Sequence, residues 1–132
     1  MPQTHRGSCH CGRVTFELQG DIKYVIECNC SICRRKGALW HGTSEAGLRI
    51  LSGESDLTLY QFNTKTAKHY FCKHCGVNPL TRPRLDPSLW VVNVRCVDGI
   101  DLKALPVHPF DGEHWEEAAK AFYARQGKQS AP

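Results

Sequence analysis

Of the eight cysteines in this 132-residue chain, seven fall into three tight groups: Cys9 and Cys11 in CHC, Cys28, Cys30 and Cys33 in CNCSIC, and Cys72 and Cys75 in CKHC. Cys96 stands alone. Thiols crowded in this way oblige a fold either to join them as disulfides or to gather them around metal. The segment MPQTHRGSCHCG has no apolar run behind its basic residues, so no secretory signal is read and a reducing cytoplasm is the expected location. Disulfide frameworks are rare in that compartment, which makes metal the better reading.

Sulfurs about 2.3 Å from one tetrahedral Zn²⁺ lie under about 4 Å from each other, a separation that cysteines one or two residues apart reach on a single turn. Each local pair is therefore half a site. Gly12 follows Cys11 and Gly76 follows Cys75, and a residue free to take φ > 0 lets backbone amides turn toward a thiolate. Cys9, Cys11, Cys72 and Cys75 read as matching halves of one structural zinc site. Cys28, Cys30 and Cys33 remain, and three protein ligands plus an open position is the arrangement of catalytic zinc. In the alternative, Cys96 or one of His10, His41 and His74 supplies a fourth ligand and closes this site too. Either way two Zn²⁺ per chain are expected.

Counting metal changes the charge. The formal net charge is +4, but seven thiolates and two Zn²⁺ bring it to about +1, which removes the general electrostatic case for binding nucleic acid. Arg34, Arg35 and Lys36 follow Cys33 directly. They can offset the negative charge of a three-thiolate zinc site and offer donors to a carboxylate-bearing ligand, or form a solvated basic turn. No apolar run approaches the roughly 18 residues of a membrane span, so no membrane association is expected.

The rest of the chain reads mainly as strands. VTFEL and LTLYQF alternate apolar and polar residues, LWVVNV is more evenly apolar, and QGD, SGES and VDG punctuate such runs. Antiparallel sheets joined by hairpins are expected. One short helix is signalled near the C-terminus, with Asp111 as its cap, Phe110 and Trp115 as a hydrophobic staple, and Trp115, Ala119 and Phe122 as a packing stripe. A single domain over residues 1–125 and a flexible tail over 126–132 follow.

The segments GSCHCGRVTFEL, CNCSICRRKG, LSGE and FCKHCG occur in the order and spacing of the glutathione-dependent formaldehyde-activating enzyme family, which this chain resembles over about residues 5 to 110. GVNPLTRPR, RCVDGIDL and FDGEHWEEA are more similar to the branch that includes centromere protein V. The resemblance implies an Mss4-like β-tent, structural zinc on Cys9, Cys11, Cys72 and Cys75, and catalytic zinc on Cys28, Cys30 and Cys33. It also implies a carbon–sulfur lyase activity that joins formaldehyde to glutathione, or releases it, as S-hydroxymethylglutathione.

The expected chemistry is attack of a bound thiolate on an aldehyde carbon, or its reverse. A small thiol such as glutathione is the expected partner. Arg34 and Arg35 are candidates for holding its carboxylates, and Trp40 and His41 for lining its pocket. Two other readings compete: a non-catalytic, zinc-stabilised interaction module resembling centromere protein V, and a CxxC thiol oxidoreductase. The second is weakened by the lack of a βαβ pattern around Cys72 and Cys75.

Overall fold

The computed structural model describes residues 3–125, so the expected tail at 126–132 lies outside the described residues. In chain order the strands are β1 (Thr4–Ser8), β2 (Thr15–Gln19), β3 (Val25–Cys28), β4 (Trp40–Thr43), β5 (Leu48–Ser52), β6 (Leu57–Tyr60), β7 (Lys68–Cys72), β8 (Leu80–Arg82), β9 (Trp90–Asn93) and β10 (Val107–Phe110). The helices are α1 (Cys33–Lys36) and α2 (Trp115–Arg125). A three-stranded sheet runs β1-β2-β5, and a seven-stranded sheet runs β10-β3-β4-β9-β8-β7-β6.

The alternation in VTFEL places Phe16 and Leu18 inward from the small sheet, where they meet Leu80, Trp90 and Val92 of the large one. Each such side chain contributes about 1.5–3 kcal/mol when fully buried. The even apolarity of LWVVNV has a topological cause. β9 lies between β4 and β8, and Val92 faces the core while Val91 faces a cleft on the opposite side. β6 is an edge strand, which leaves Leu59 and Tyr60 exposed despite their strand pattern. At Gly7 the small sheet touches the segment after β9 through an isolated bridge to Val97, and any side chain there would meet the Phe16 ring and the Cys96 carbonyl.

All but one of the strand pairs are antiparallel, as the hairpin signals suggest. The exception is β10, which runs parallel to β3 with Val107 opposite Val25 and Phe110 opposite Cys28. A connection this long leaves no hairpin signal. Pro109 sits within β10 without breaking a ladder because β10 is the outermost strand.

Asp111 does not cap the backbone as expected. Its φ and ψ of −81° and 75° are not the extended conformation of an N-cap, and a 3₁₀ turn over Gly112–His114 precedes α2. Its carboxylate instead accepts from Asn29 Nδ2 at 2.9 Å and His114 Nδ1 at 2.9 Å. The capping bond to this turn comes from Asn29, whose Oδ1 accepts from the Glu113 amide at 3.0 Å. The start of α2 is thereby tied to the CNCSIC loop.

Candidate metal centres and the adjoining cleft

Two groups of sulfurs gather, each with its atoms within 4.8 Å of one another: Cys9, Cys11, Cys72 and Cys75 in one, Cys28, Cys30 and Cys33 in the other. In the first, two turns about 60 residues apart in the sequence are built alike. The Cys9 amide donates to the Val14 carbonyl at 3.0 Å and the Cys72 amide to that of Val77 at 2.9 Å. Gly12 and Gly76 take φ of 82° and 79°, the left-handed region in which glycine is favoured. The Val14 amide then points at Cys9 Sγ and the His74 amide at Cys72 Sγ, both at 3.4 Å.

Sulfur separations of 3.5 Å for Cys9–Cys11 and 3.6 Å for Cys11–Cys72 fit the edge of a zinc–thiolate tetrahedron, about 3.8 Å. Burial opposes ionisation of Cys75, but the Val77 and Cys11 amides and the neighbouring thiols outweigh it and bring its pKa down to about 6. Four soft donors with amides aimed at them suit a closed zinc site. His74 takes no part, because its Nε2 is 2.9 Å from Asp56.

The second group is local. Cys28 ends β3, Cys30 lies on the following turn, and Cys33 opens α1. Cys30 Sγ accepts from the Cys33 amide at 3.4 Å, and Cys33 Sγ from the Trp40 indole at 3.4 Å. Hydrogen bonds from Cys28 and Cys33 lower the Cys30 pKa, while those with Cys30 and Cys33 raise that of Cys28. Three thiols that favour a shared thiolate also suit zinc, with one position left over. Among the described residues no fourth cysteine, histidine or carboxylate joins them.

These three thiols line a cleft of about 760 Å³ walled by aromatic side chains that include Trp40, Phe62, Phe110 and Trp115. Gly112 closes tightly on the thiols: a Cβ there would lie 2.5 Å from Cys28 Sγ and 2.7 Å from Cys30 Cβ. Arg84 enters the same cleft with its guanidinium 3.8 Å over the Trp115 ring. The Tyr123 hydroxyl donates to the Leu85 carbonyl, fastening α2 to the segment after β8.

The basic run after Cys33 divides. Arg34 lines the cleft. Arg35 turns back to the Ser31 carbonyl at 2.8 Å and is not a lining residue. Lys36 lies over Trp40 at 4.9 Å and donates to Asn78 Oδ1 and, at 3.0 Å, to His69 Nδ1. Trp40 lines the cleft while spending its indole N–H on Cys33. His41 lies off the cleft, and burial, then the charge of His5, lowers its pKa.

Cys96 lies beside the first group, where burial and then the charges of Cys9 and Cys75 raise its pKa to about 11. The stripe on α2 is not packing alone: Ala119 is buried, but Trp115 and Phe122 line the cleft. Sequence reasoning missed Asn29, His69, Arg84 and Gly112. Asn29, Arg84 and Gly112 gain their roles only when β10 and α2 fold back over the thiols, and His69 only when α1 brings Lys36 beside β7.

Comparison with known proteins agrees with this geometry. The profile of the family described as glutathione-dependent formaldehyde-activating enzyme matches residues 4–118. A Halomonas elongata protein that carries this name provisionally is 28% identical over 113 residues, covering 79% of this chain and 61% of that relative. The chain thus spans less than two thirds of that relative's length. A crystal structure of a Rhodobacter sphaeroides protein superposes with a TM-score of 0.70 at 39% identity, covering 78% of this chain and 99% of that one. With both thiol groups and the first turn of α2 inside the matched range, this mainly β, Mss4-like chain belongs to the glutathione-dependent formaldehyde-activating enzyme family.

Proposed function

We propose that the chain is a zinc-dependent carbon–sulfur lyase-type enzyme that joins a glutathione-like thiol to formaldehyde or a related aldehyde, or releases it. The observation that carries this reading is the placement of three convergent thiols, with no fourth protein ligand among the described residues, on the wall of a cleft of about 760 Å³. That volume lies within the range of small-molecule sites, about 300–1,000 Å³. Zinc bound by Cys28, Cys30 and Cys33 would supply a Lewis acid that favours thiolate over thiol near neutral pH.

The chain's own groups do the rest. Arg34 and Arg84 present guanidinium donors to the carboxylates of a peptide-like thiol. Stacking on Trp115 holds Arg84 in place, which reduces the order it must gain on binding. The aromatic walls give the reacting atoms a largely apolar surround. As the sulfur–carbon bond forms, the carbonyl π pair moves to oxygen, which takes a proton equivalent to the one the thiol lost. No oxidant or reductant is required. Cys9, Cys11, Cys72 and Cys75 would hold a structural zinc that joins two distant turns.

The test uses purified chain carrying two zinc ions, glutathione and ¹³C-formaldehyde. Exchange between free aldehyde and S-hydroxymethylglutathione, followed by NMR, is expected to run faster than in buffer. A two-zinc protein that leaves the exchange at its spontaneous rate would remove the enzyme reading and favour an interaction module.

A further inference from the structure

The cleft wall holds a buried imidazole to which the chemistry above gives no task. His69, on β7, lines the cleft and stacks against Phe62 with ring centroids 5.9 Å apart. Its ring nitrogens differ. Nδ1 meets Lys36 Nζ at 3.0 Å and Thr81 Oγ1 at 3.4 Å. Nε2 has no hydrogen-bond partner among the described residues, on a ring that lines the cleft.

The surrounding network decides the tautomer. Asn78 Nδ2 donates to the carbonyls of Tyr70 at 2.6 Å and Leu80 at 2.9 Å, so its Oδ1 faces Lys36 and Thr81 as an acceptor. The Lys36 ammonium has only protons to give. Nδ1 of His69 therefore accepts, and the single proton of the neutral ring lies on Nε2. A second ring proton would set an imidazolium against an ammonium. Burial first, and Lys36 second, bring the His69 pKa down to about 4. His69 lines the same cleft as Cys28, Cys30 and Cys33.

We propose that His69, held by Lys36, Asn78 and Thr81 as the neutral Nε2–H tautomer, is a catalytic hydrogen-bond donor to the aldehyde oxygen. This rests on the thiol–aldehyde reading above. Negative charge develops on that oxygen as sulfur bonds to carbon, and in the reverse direction the same oxygen carries it before the carbon–sulfur bond breaks. His69 donates throughout without surrendering its proton: the oxygen takes its proton from solvent, to which the thiol has lost one. A donor fixed on a strand needs no reorganisation as charge appears, which is why single donors of this kind change rates by about 10²–10³. Lys36 is a positioning residue, because it acts through the imidazole.

Two measurements test the proposal. In the zinc-loaded wild type, long-range ¹H–¹⁵N correlation should find His69 neutral and protonated at Nε2 from about pH 6 to pH 8, and S-hydroxymethylglutathione should shift that Nε2–H. An imidazolium or an Nδ1–H ring near neutrality, or an Nε2–H indifferent to the adduct, would overturn it. His69→Phe should lower kcat by about 10²–10³ with little change in KM for glutathione, and His69→Gln, which keeps an N–H donor, should recover part of the loss. A folded His69→Phe variant as fast as wild type sinks this proposal and leaves the enzyme reading intact. A wild type without turnover sinks the enzyme reading, and the NMR outcome still decides the His69 contact. If His69→Phe does not fold, the wild-type spectra decide alone.

Discussion

The two thiol groups use the same chemistry and differ in where their ligands come from. The four-thiol group draws on turns more than 60 residues apart, with Cys11 and Cys72 in sulfur contact across a separation of 61. Cys9 and Cys72 are buried there with Val14. The three-thiol group lies within six positions of one loop, and the space around it is a cleft rather than core. Ligands that arrive from two directions can surround an ion. Ligands from one loop leave a face uncovered, and β10, the turn at Gly112 and α2 shape that face without filling it.

The largest effect should separate the groups by stability. Apparent binding energies of structural zinc are about 10–16 kcal/mol in small zinc-dependent folds, comparable to the whole stability of a domain, about 5–15 kcal/mol. Cys72→Ser is therefore expected to lose its cooperative thermal transition or to melt lower by more than about 10 °C. Cys30→Ser should lose turnover and one zinc while melting within a few degrees, about 5 °C, of wild type. Calorimetry with elemental analysis of both variants checks this, and equal losses of stability would erase the distinction between a structural and an open site.

A smaller effect should come from the roof of the open site. Gly112→Ala places a methyl group against Cys28 and Cys30, and overpacking of this kind costs about 1–3 kcal/mol. The strain falls on the three-thiol loop, so exchange activity is expected to fall about 10-fold or more while the four-thiol group keeps its zinc. Loss of both metals from this variant would mean that the groups are not independent.

Arg84→Ala should be milder again. Losing a charge-assisted hydrogen bond of about 1.5–3 kcal/mol raises the KM for a carboxylate-bearing thiol about 10-fold or more with little change in kcat. A thiol lacking carboxylates should be handled alike by variant and wild type. If it also suffers, Arg84 holds the wall in shape and does not read the substrate.

How much of this was legible depends on distance along the chain. Both thiol groups were visible because their members come as close neighbours in sequence, in one run at 28–33 and in two pairs at 9/11 and 72/75, and the glycines at 12 and 76 announced the two matching turns. The strand pattern around Phe16 and Leu18 likewise located one face of the core. What stayed hidden required contacts between distant segments. Asn29 replaces Asp111 as the partner of the α2 turn because β10 returns to pair with β3. His69 gains its fixed tautomer only when α1 brings Lys36 beside β7. Trp115 reads as a packing residue and Arg84 carries no signal of its own in the sequence, because they meet only over the cleft.

The smallest effect is expected at Cys96, the thiol whose position bears most directly on the contrast between open and closed sites. As a fourth ligand to Cys28, Cys30 and Cys33 it would make a second cage and deny a substrate thiol its place. It lies instead against the core formed by Phe16 and Leu80, on the side of Cys9 and Cys75, and belongs to neither sulfur group. Its thiol stays protonated because burial raises its pKa to about 11, so it behaves as a small apolar side chain. Cys96→Ala should therefore keep two metal ions per chain and full exchange activity, with a stability loss of about 1 kcal/mol for the atom removed from the core. Cobalt substitution gives the sharper reading, since the parent and Cys96→Ala should show the same sum of one four-sulfur and one three-sulfur spectrum. Loss of one metal from the variant, or two four-sulfur spectra in the parent, would make the two sites alike and leave the cleft without a free coordination position.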